Sequence, residues 1–439
     1  MGIRSIRRPN PQAGRRPHPH LSMSKLTLIA AIGLIAPVGA LHGAQADHFP
    51  IHDGDRIVFY GDSITQDGGY CRLVEAYVRT RFPRWDLRFF NAGVGGDRVD
   101  GGGAGDIATR LERDVVSLHP TVVTIMLGMN DGGYRKLEPA TLEHFAAGYR
   151  AIVAQLLREI PGVRLYLILP SPFDDISRPP QFDRGYDRVL RKLGESVAAI
   201  ALEDHLQTVD FGAPLNAAIA KVAQKDPELA RTLLPDRVHP SPAGHLVLGA
   251  ALLRAWHAPS LVTRVAINAR SQSAEAAENT EVSAVTGDGG KLAWTQLDRA
   301  LPLPLNFQDA GVDLASESQA DLESLDLEPL RVTGLAKGSY ELRIDGDVVG
   351  RFSRSELEAG VNLARYGTPM RAQAFPVLWG SEGSQQAEVV RRGMMAHGAK
   401  TPAMAQAAET LASYDEANQT DRSRSAVPKA RAFSLALLP

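Results

Sequence analysis

Four short stretches of this chain carry side chains suited to nucleophilic chemistry. Ser63 lies in Tyr60-Gly61-Asp62-Ser63-Ile64-Thr65-Gln66, directly after the apolar run Ile57-Val58-Phe59. A glycine-rich loop, Asn91-Ala92-Gly93-Val94-Gly95-Gly96-Asp97, offers backbone N–H groups that can face an anion. Gly128-Met129-Asn130-Asp131 brings an amide side chain, and Pro235-Asp236-Arg237-Val238-His239-Pro240 brings a carboxylate three residues ahead of an imidazole. A serine hydroxyl is a poor nucleophile until a base within hydrogen-bond reach takes its proton, and His239 is suited to that task. The imidazole in turn needs a fixed tautomer and a stabilised positive charge, which Asp236 on the same loop can supply.

These residues must converge from distant parts of the chain, so the elements that carry them decide whether they can act together. Short apolar runs predict strands at Arg56 to Tyr60, Leu87 to Asn91, Thr121 to Leu127, Arg164 to Leu169 and Thr208 to Phe211. Between them lie stretches with helical spacing, the clearest being Leu142, Phe145, Tyr149, Ile152 and Leu156, ended by Pro161-Gly162. The last opens at Ser241-Pro242, a capping residue followed by proline at the first helical position. Alternation of strand and helix predicts an α/β fold, a three-layer sandwich on a five-stranded parallel sheet. In such a sheet ligands bind at the carboxyl ends of the strands, where Ser63, the glycine loop and Asn130 all fall.

The four blocks, in this order, resemble those of the GDSL or SGNH hydrolase superfamily over about residues 55 to 256. Each block alone is weak; the ordered set, each at an expected strand end, is specific. The resemblance implies a flavodoxin-like SGNH hydrolase fold, with Ser63 as nucleophile and Asp236 and His239 as acid and base. It further implies an oxyanion hole made of the Ser63 N–H, the Gly96 N–H and the Asn130 amide, an acyl-serine intermediate, no metal and no cofactor. Isoleucine stands at position 64 where the family name has leucine, a conservative change.

Plainer roles exist for each residue. Gly-Asp-Ser is a common turn composition, Asn130 suits a helix cap, and a histidine before proline suits a surface loop. Asp62 is expected to hydrogen-bond the turn, while His245 and His119 read as packing or surface residues. Gly103-Ala104-Gly105-Asp106-Ile107-Ala108 fits a dinucleotide pattern, but it does not follow a strand directly and no P-loop lysine appears. The single cysteine, Cys71, excludes an intramolecular disulfide and reads as a small buried hydrophobe.

Residues 1–46 read as a secretory signal peptide: six basic residues and no acid, an apolar run from Leu26 to Leu41, then Ala44-Gln45-Ala46, with cleavage expected after Ala46. Met23 is a second candidate start. The run is short for a membrane span and contains Pro37, so a periplasmic or extracellular protein without a stable membrane anchor is expected. The whole chain has 48 Lys+Arg against 50 Asp+Glu; without the six leader basics the balance is 42 against 50, an excess of eight acids. That surface disfavours nucleic acid or anionic lipid as main partner and suits neutral or weakly charged substrates.

The catalytic domain is expected over 47–260, a β-rich accessory module over 261–365, a helical segment over 366–416 and a flexible tail over 417–439. Asp345-Gly346-Asp347 between Tyr340–Ile344 and Val348–Phe352 signals a hairpin, and 271–290 reads as loop. Tyr134, beside Asn130, and Phe173, in Pro170-Ser171-Pro172-Phe173-Asp174-Asp175, are expected to rim the substrate site. The function expected is a secreted serine esterase acting on a small ester or acylated glycan, with acetyl groups on carbohydrate as the preferred substrate. The alternatives are a lipase or lysophospholipase-type enzyme, a generic aryl esterase, an acyltransferase with the same catalytic set, and a non-catalytic glycan-binding protein.

Overall fold

Strand β1 (Arg56–Gly61) shows why the site sits where it does. Its side chains alternate between two apolar clusters: Ile57 and Phe59 point to one, Val58 and Tyr60 to the other, and all four are fully buried. A strand covered on both faces requires that pattern, and it belongs in the centre of an α/β sheet. The computed structural model describes residues 49–288, 290–396 and 401–439, so the expected leader lies outside the described residues.

From β1 the chain runs through α1 (Ser63–Asp67), α2 (Gly69–Arg81), β2 (Arg88–Gly93), a minimal hairpin β3 (Gly101–Gly102) and β4 (Gly105–Asp106), and α3 (Ile107–Asp114). It continues through β5 (Val122–Met126), α4 (Pro139–Glu159), β6 (Arg164–Leu169), α5 (Gly185–Glu203) and β7 (Gln207–Asp210). Helices α6 (Gly212–Ala223), α7 (Pro227–Arg231) and α8 (Pro242–Ala255) complete this part. The sheet has the order β2-β1-β5-β6-β7, with every pair parallel, as the strand spacing predicted. One cluster packs α2 and α8 against the sheet through Tyr70, Leu73, Tyr77, Val247 and Leu248. The other packs α4 on the opposite face through Phe145, Tyr149, Ile152 and Leu156. Ser241 caps α8 by accepting from the Gly244 N–H, with Pro242 at the first turn.

The rest of the chain is β-rich. It contains β8 (Arg264–Asn268), β9 (Ser273–Glu278), β10 (Thr280–Asp288), β11 (Lys291–Asp298), α9 (Ala310–Ala315), β12 (Pro329–Thr333), β13 (Ser339–Ile344) and β14 (Asp347–Ser353). After these come α10 (Arg354–Ala359), β15 (Val361–Asn362), two long helices α11 (Pro369–Ala396) and α12 (Pro402–Ala426), and β16 (Arg431–Leu437). Two expectations are corrected. The loop expected at 271–290 contains β9, paired with β8, and β10, paired with β11; every side chain of β9 is exposed, so these residues lack the apolar alternation from which a strand is read. The flexible tail expected at 417–439 is the end of α12 followed by β16, which inserts between β11 and β13. Phe433 and Leu435 are buried there, Phe433 stacked on Trp294 at 5.0 Å. A strand completed from the far end of the chain has no local signature.

The boundaries expected at 260, 365 and 416 do not separate independent bodies, since the described residues belong to one compact unit. Helix α2 is joined to α11 and α12 by a buried polar cluster. Arg79 bonds Glu75 at 2.7 Å and Gln419 at 2.7 Å, Gln385 bonds Glu75 at 3.2 Å, and Gln419 donates to the Leu87 carbonyl at 2.7 Å. Burial opposes ionisation of Glu75, but Arg422 and Arg79 outweigh it and hold its pKa below the usual range. Removing one member would leave a buried charge uncompensated, so the helical hairpin is bound to the half that holds the parallel sheet.

Candidate active site

The β1–α1 turn presents Ser63 as the first residue of a helix, where its backbone N–H is an orphan donor. Asp62 caps the helix by accepting from the Ile64 N–H at 3.0 Å, the turn role expected of it. The turn is tight against the neighbouring strand, and a Cβ on Gly93 would overlap the Gln66 backbone nitrogen. At the far end of the domain the loop before α8 brings in the partners. Ser63 Oγ lies 2.8 Å from His239 Nε2, and His239 Nδ1 lies 2.6 Å from Asp236 Oδ2. The other Asp236 oxygen accepts from the backbone N–H groups of Val238 (3.0 Å) and His239 (2.8 Å). Burial works against ionisation of Asp236, yet hydrogen bonds from the His239 ring and these N–H groups hold its pKa below the usual carboxylate range. An ionised Asp236 keeps the ring hydrogen on Nδ1, leaving Nε2 to accept the serine proton.

The anion-facing groups converge on the same edge. Gly96 adopts φ +79, the left-handed region that glycine enters without strain. Its neighbours spend their N–H groups internally, Gly95 on Gln66 Oε1 (2.7 Å) and Asp97 on the Val94 carbonyl (3.2 Å). The Gly96 N–H has no acceptor among the described residues. Asn130 donates one Nδ2 hydrogen to the Asp97 carbonyl at 3.1 Å and accepts at Oδ1 from the Tyr134 hydroxyl at 3.1 Å. These two bonds fix which end of the amide is nitrogen and leave one N–H for a ligand. Arg110, fully buried, locks the loop below by bonding Asp97 at 2.7 Å and the Ala92 carbonyl at 2.9 Å.

Two flanking carboxylates have displaced pKa values. Burial pushes Asp62 up to about 7, against the Ile64 N–H bond and with help from Asp131. Burial likewise pushes Asp131 up to about 6, although it accepts from the Val99 N–H at 2.9 Å. Asp131 therefore ties the glycine loop to the Asn130 turn instead of facing substrate.

Of the two residues expected to rim the site, Tyr134 lies at the surface with its hydroxyl on Asn130, and Phe173 does not reach the surface. Tyr134 is 41% exposed and stacks on Tyr186 at 4.9 Å. Phe173 is buried beneath it, edge-on to Tyr186 at 5.4 Å and covered by the Arg237 guanidinium at 5.7 Å. A large ring just past a strand end gains more by filling the core than by staying in water. The segment around it braces the histidine loop. Arg178 bonds Asp174 at 2.6 Å and the carbonyls of Leu234 (2.9 Å) and Pro235 (2.8 Å). Arg237, at φ +76, exchanges backbone and side-chain bonds with Asp174 (3.0 and 3.2 Å). Gln66, Arg110 and Arg178 escaped sequence reading, since an arginine or glutamine that supports a loop has no motif. His245 is buried, with Nε2 3.0 Å from Asp67. Among the described residues no group of three or more His, Cys, Asp or Glu is arranged to hold a metal ion, and no helix is long and apolar enough to cross a membrane.

Residues 59–247 match the model of the GDSL-like lipase/acylhydrolase family. They form a GDSL-like lipase/acylhydrolase domain. An acetylxylan esterase of Geobacillus stearothermophilus is 29% identical over 232 residues, 46% of this chain and 94% of that relative. A solved structure of that organism's acetylxylan esterase Axe2 is 28% identical, covering 47% of this chain and 95% of its own, with a TM-score of 0.38. The structure of a gut microbial diltiazem-metabolizing enzyme is 25% identical, covers 89% of this chain and 100% of its own, and has a TM-score of 0.79. That likeness takes in the β-rich region and the long helices as well as the GDSL-like domain. The protein is a carboxylic ester hydrolase.

Proposed function

We propose that this protein is an exported serine esterase that removes short acyl groups, acetyl foremost, from carbohydrate. The observation that carries the catalytic part is the unbroken relay of Ser63, His239 and Asp236, at 2.8 and 2.6 Å, beside N–H groups free to receive an oxyanion. Ser63 Oγ attacks the ester carbonyl while its proton passes to His239 Nε2. The carbonyl oxygen becomes an oxyanion held by the N–H groups of Ser63 and Gly96 and the free Asn130 amide hydrogen. Each such donor is worth about a hundred- to a thousand-fold in turnover. Collapse expels the alcohol, which takes the proton from His239, and leaves an acyl-serine. Water, deprotonated by the same nitrogen, then attacks, releasing the carboxylic acid and restoring Ser63.

The His239 side chain is 47% exposed and that of Asp236 57%, so water has direct access to the acyl-enzyme. This supports hydrolysis over transfer to another hydroxyl, which requires water to be excluded. The acetyl-glycan preference is supported by the name of the Geobacillus relative and by the open, partly aromatic rim at Tyr134. A small-molecule ester is a second reading, favoured by the neighbour that acts on diltiazem and shares nearly the whole architecture. Export is supported by the leader-like residues 1–46, and a mature protein beginning at Asp47 in the extracytoplasmic fraction would test it. The catalytic test is acetate release from acetylated xylan and hydrolysis of aryl esters of increasing acyl length, with wild type and Ser63→Ala. Acetate release lost in Ser63→Ala is expected; a Ser63→Ala enzyme with wild-type turnover would refute the nucleophile.

A further inference from the structure

The oxyanion loop forms one wall of a cavity of about 310 Å³, near the lower end of ligand pockets. Gln66, Gly93 and Gly95 line it on one side; on the other are Arg113 and, from α11, Val389 and Arg392. It adjoins the nucleophile, since a Cβ on Gly95 would lie 3.8 Å from Ser63 Cβ. Arg392 is 6% exposed, yet none of its three guanidinium nitrogens has a hydrogen-bond partner among the described residues. Two carboxylates lie near it and both are already engaged: Glu388, with Oε1 3.5 Å from Nε, takes two bonds of 2.8 Å from Arg391, and Asp114 is bonded by Arg113 and Arg110. Arg113, by contrast, is satisfied by Asp114 (2.9 and 2.6 Å) and the Ala104 carbonyl (3.1 Å). A buried guanidinium with five N–H donors unused is expensive to keep unless something pairs with it.

We infer that this cavity is a subsite for a carboxylate on the substrate, with Arg392 as its ligand, so that the enzyme takes acylated acidic saccharides of the uronic-acid kind. This rests on the esterase reading of Ser63. A planar guanidinium prefers a bidentate oxyanion, and beside it the walls offer the Gln66 amide and glycine backbone, with Val94, Ala104 and Val389 as the apolar remainder. The overall acidity of the chain favours neutral substrates only on average; one buried cation beside the site reverses the preference locally. The subsite also assigns a task to α11, which lies far outside the GDSL-like domain in sequence and reaches its edge.

The test compares an acetylated uronic-acid oligosaccharide with its carboxyl-reduced form, and with a neutral aryl acetate. In wild type, kcat/KM for the acidic form is expected to exceed that for the reduced form by about tenfold or more, through KM. Arg392→Gln removes that difference and leaves aryl acetate turnover unchanged, while Arg392→Lys restores part of it. Equal kcat/KM for acidic and reduced forms in wild type overturns the subsite without use of any variant, so a misfolded Arg392→Gln cannot hide the answer. Calorimetric binding of the two deacetylated oligosaccharides to wild type reads the subsite apart from catalysis. Selective binding of the acidic form with aryl acetate hydrolysis that survives Ser63→Ala would refute the catalytic reading and keep the subsite; no selectivity with hydrolysis intact would do the reverse.

Discussion

Tyr134→Phe isolates one restraint on the proposed oxyanion hole. The change deletes the hydroxyl that donates to Asn130 Oδ1 at 3.1 Å and leaves the ring free to keep its stack on Tyr186 at 4.9 Å. Asn130 retains its bond to the Asp97 carbonyl at 3.1 Å, which still disfavours a flipped amide because two acceptors would then face each other. One of two restraints on the amide is therefore lost, and the oxyanion donor itself remains. A neutral hydrogen bond contributes about 0.5–1.5 kcal/mol, and at a half-exposed tyrosine the lower half of that range applies. The expected loss in kcat is about two- to fivefold with KM little changed, against about a hundred- to a thousand-fold for Asn130→Ala. The assay is steady-state hydrolysis of a neutral aryl acetate by the four proteins of a double-mutant cycle. Because Tyr134 acts through Asn130, the double variant should be no slower than Asn130→Ala alone. If the two losses multiply instead, Tyr134 acts on substrate directly and the positioning argument is wrong.

Other expectations follow from the flanking carboxylates and the last strand. Burial raises the Asp62 pKa to about 7, so the neutral form is favoured in the folded protein. Its contribution to stability is fully present below the ordinary carboxylate range and is lost as pH rises toward 7. Asp62→Asn keeps an oxygen for the Ile64 N–H and cannot ionise, so its Tm should gain on wild type between pH 5 and pH 8; a constant difference across that range would refute the assignment. Phe433→Ala removes a buried ring stacked on Trp294 and should cost about 3–5 kcal/mol in denaturant unfolding. An unchanged midpoint would mean that the last strand is not part of the core.

The parallel sheet was legible in the chain because β1, β5 and β6 are buried on both faces and therefore read as unbroken apolar runs. The candidate catalytic set was legible for a related reason: Ser63 and Asn130 closely follow two of these runs and Gly96 follows the edge strand β2, so naming the strands places them on one edge. Asp236 and His239 are three residues apart, and their pairing needs only a local turn. What the sequence by itself determined is thus everything with a short period or a fixed local offset. Tertiary structure alone decided the rest. It buried Phe173 while leaving Tyr134 at the surface, because the space beneath one ring is made by Tyr186 and Arg237 from other elements. It drew residues 431–437 into the second sheet, because a strand with both neighbours supplied by distant hairpins carries no signal of its own. It set Arg392 against the oxyanion loop, a meeting of positions about 300 residues apart that is settled by how α11 packs on α2 and β2 and by no pattern along the chain.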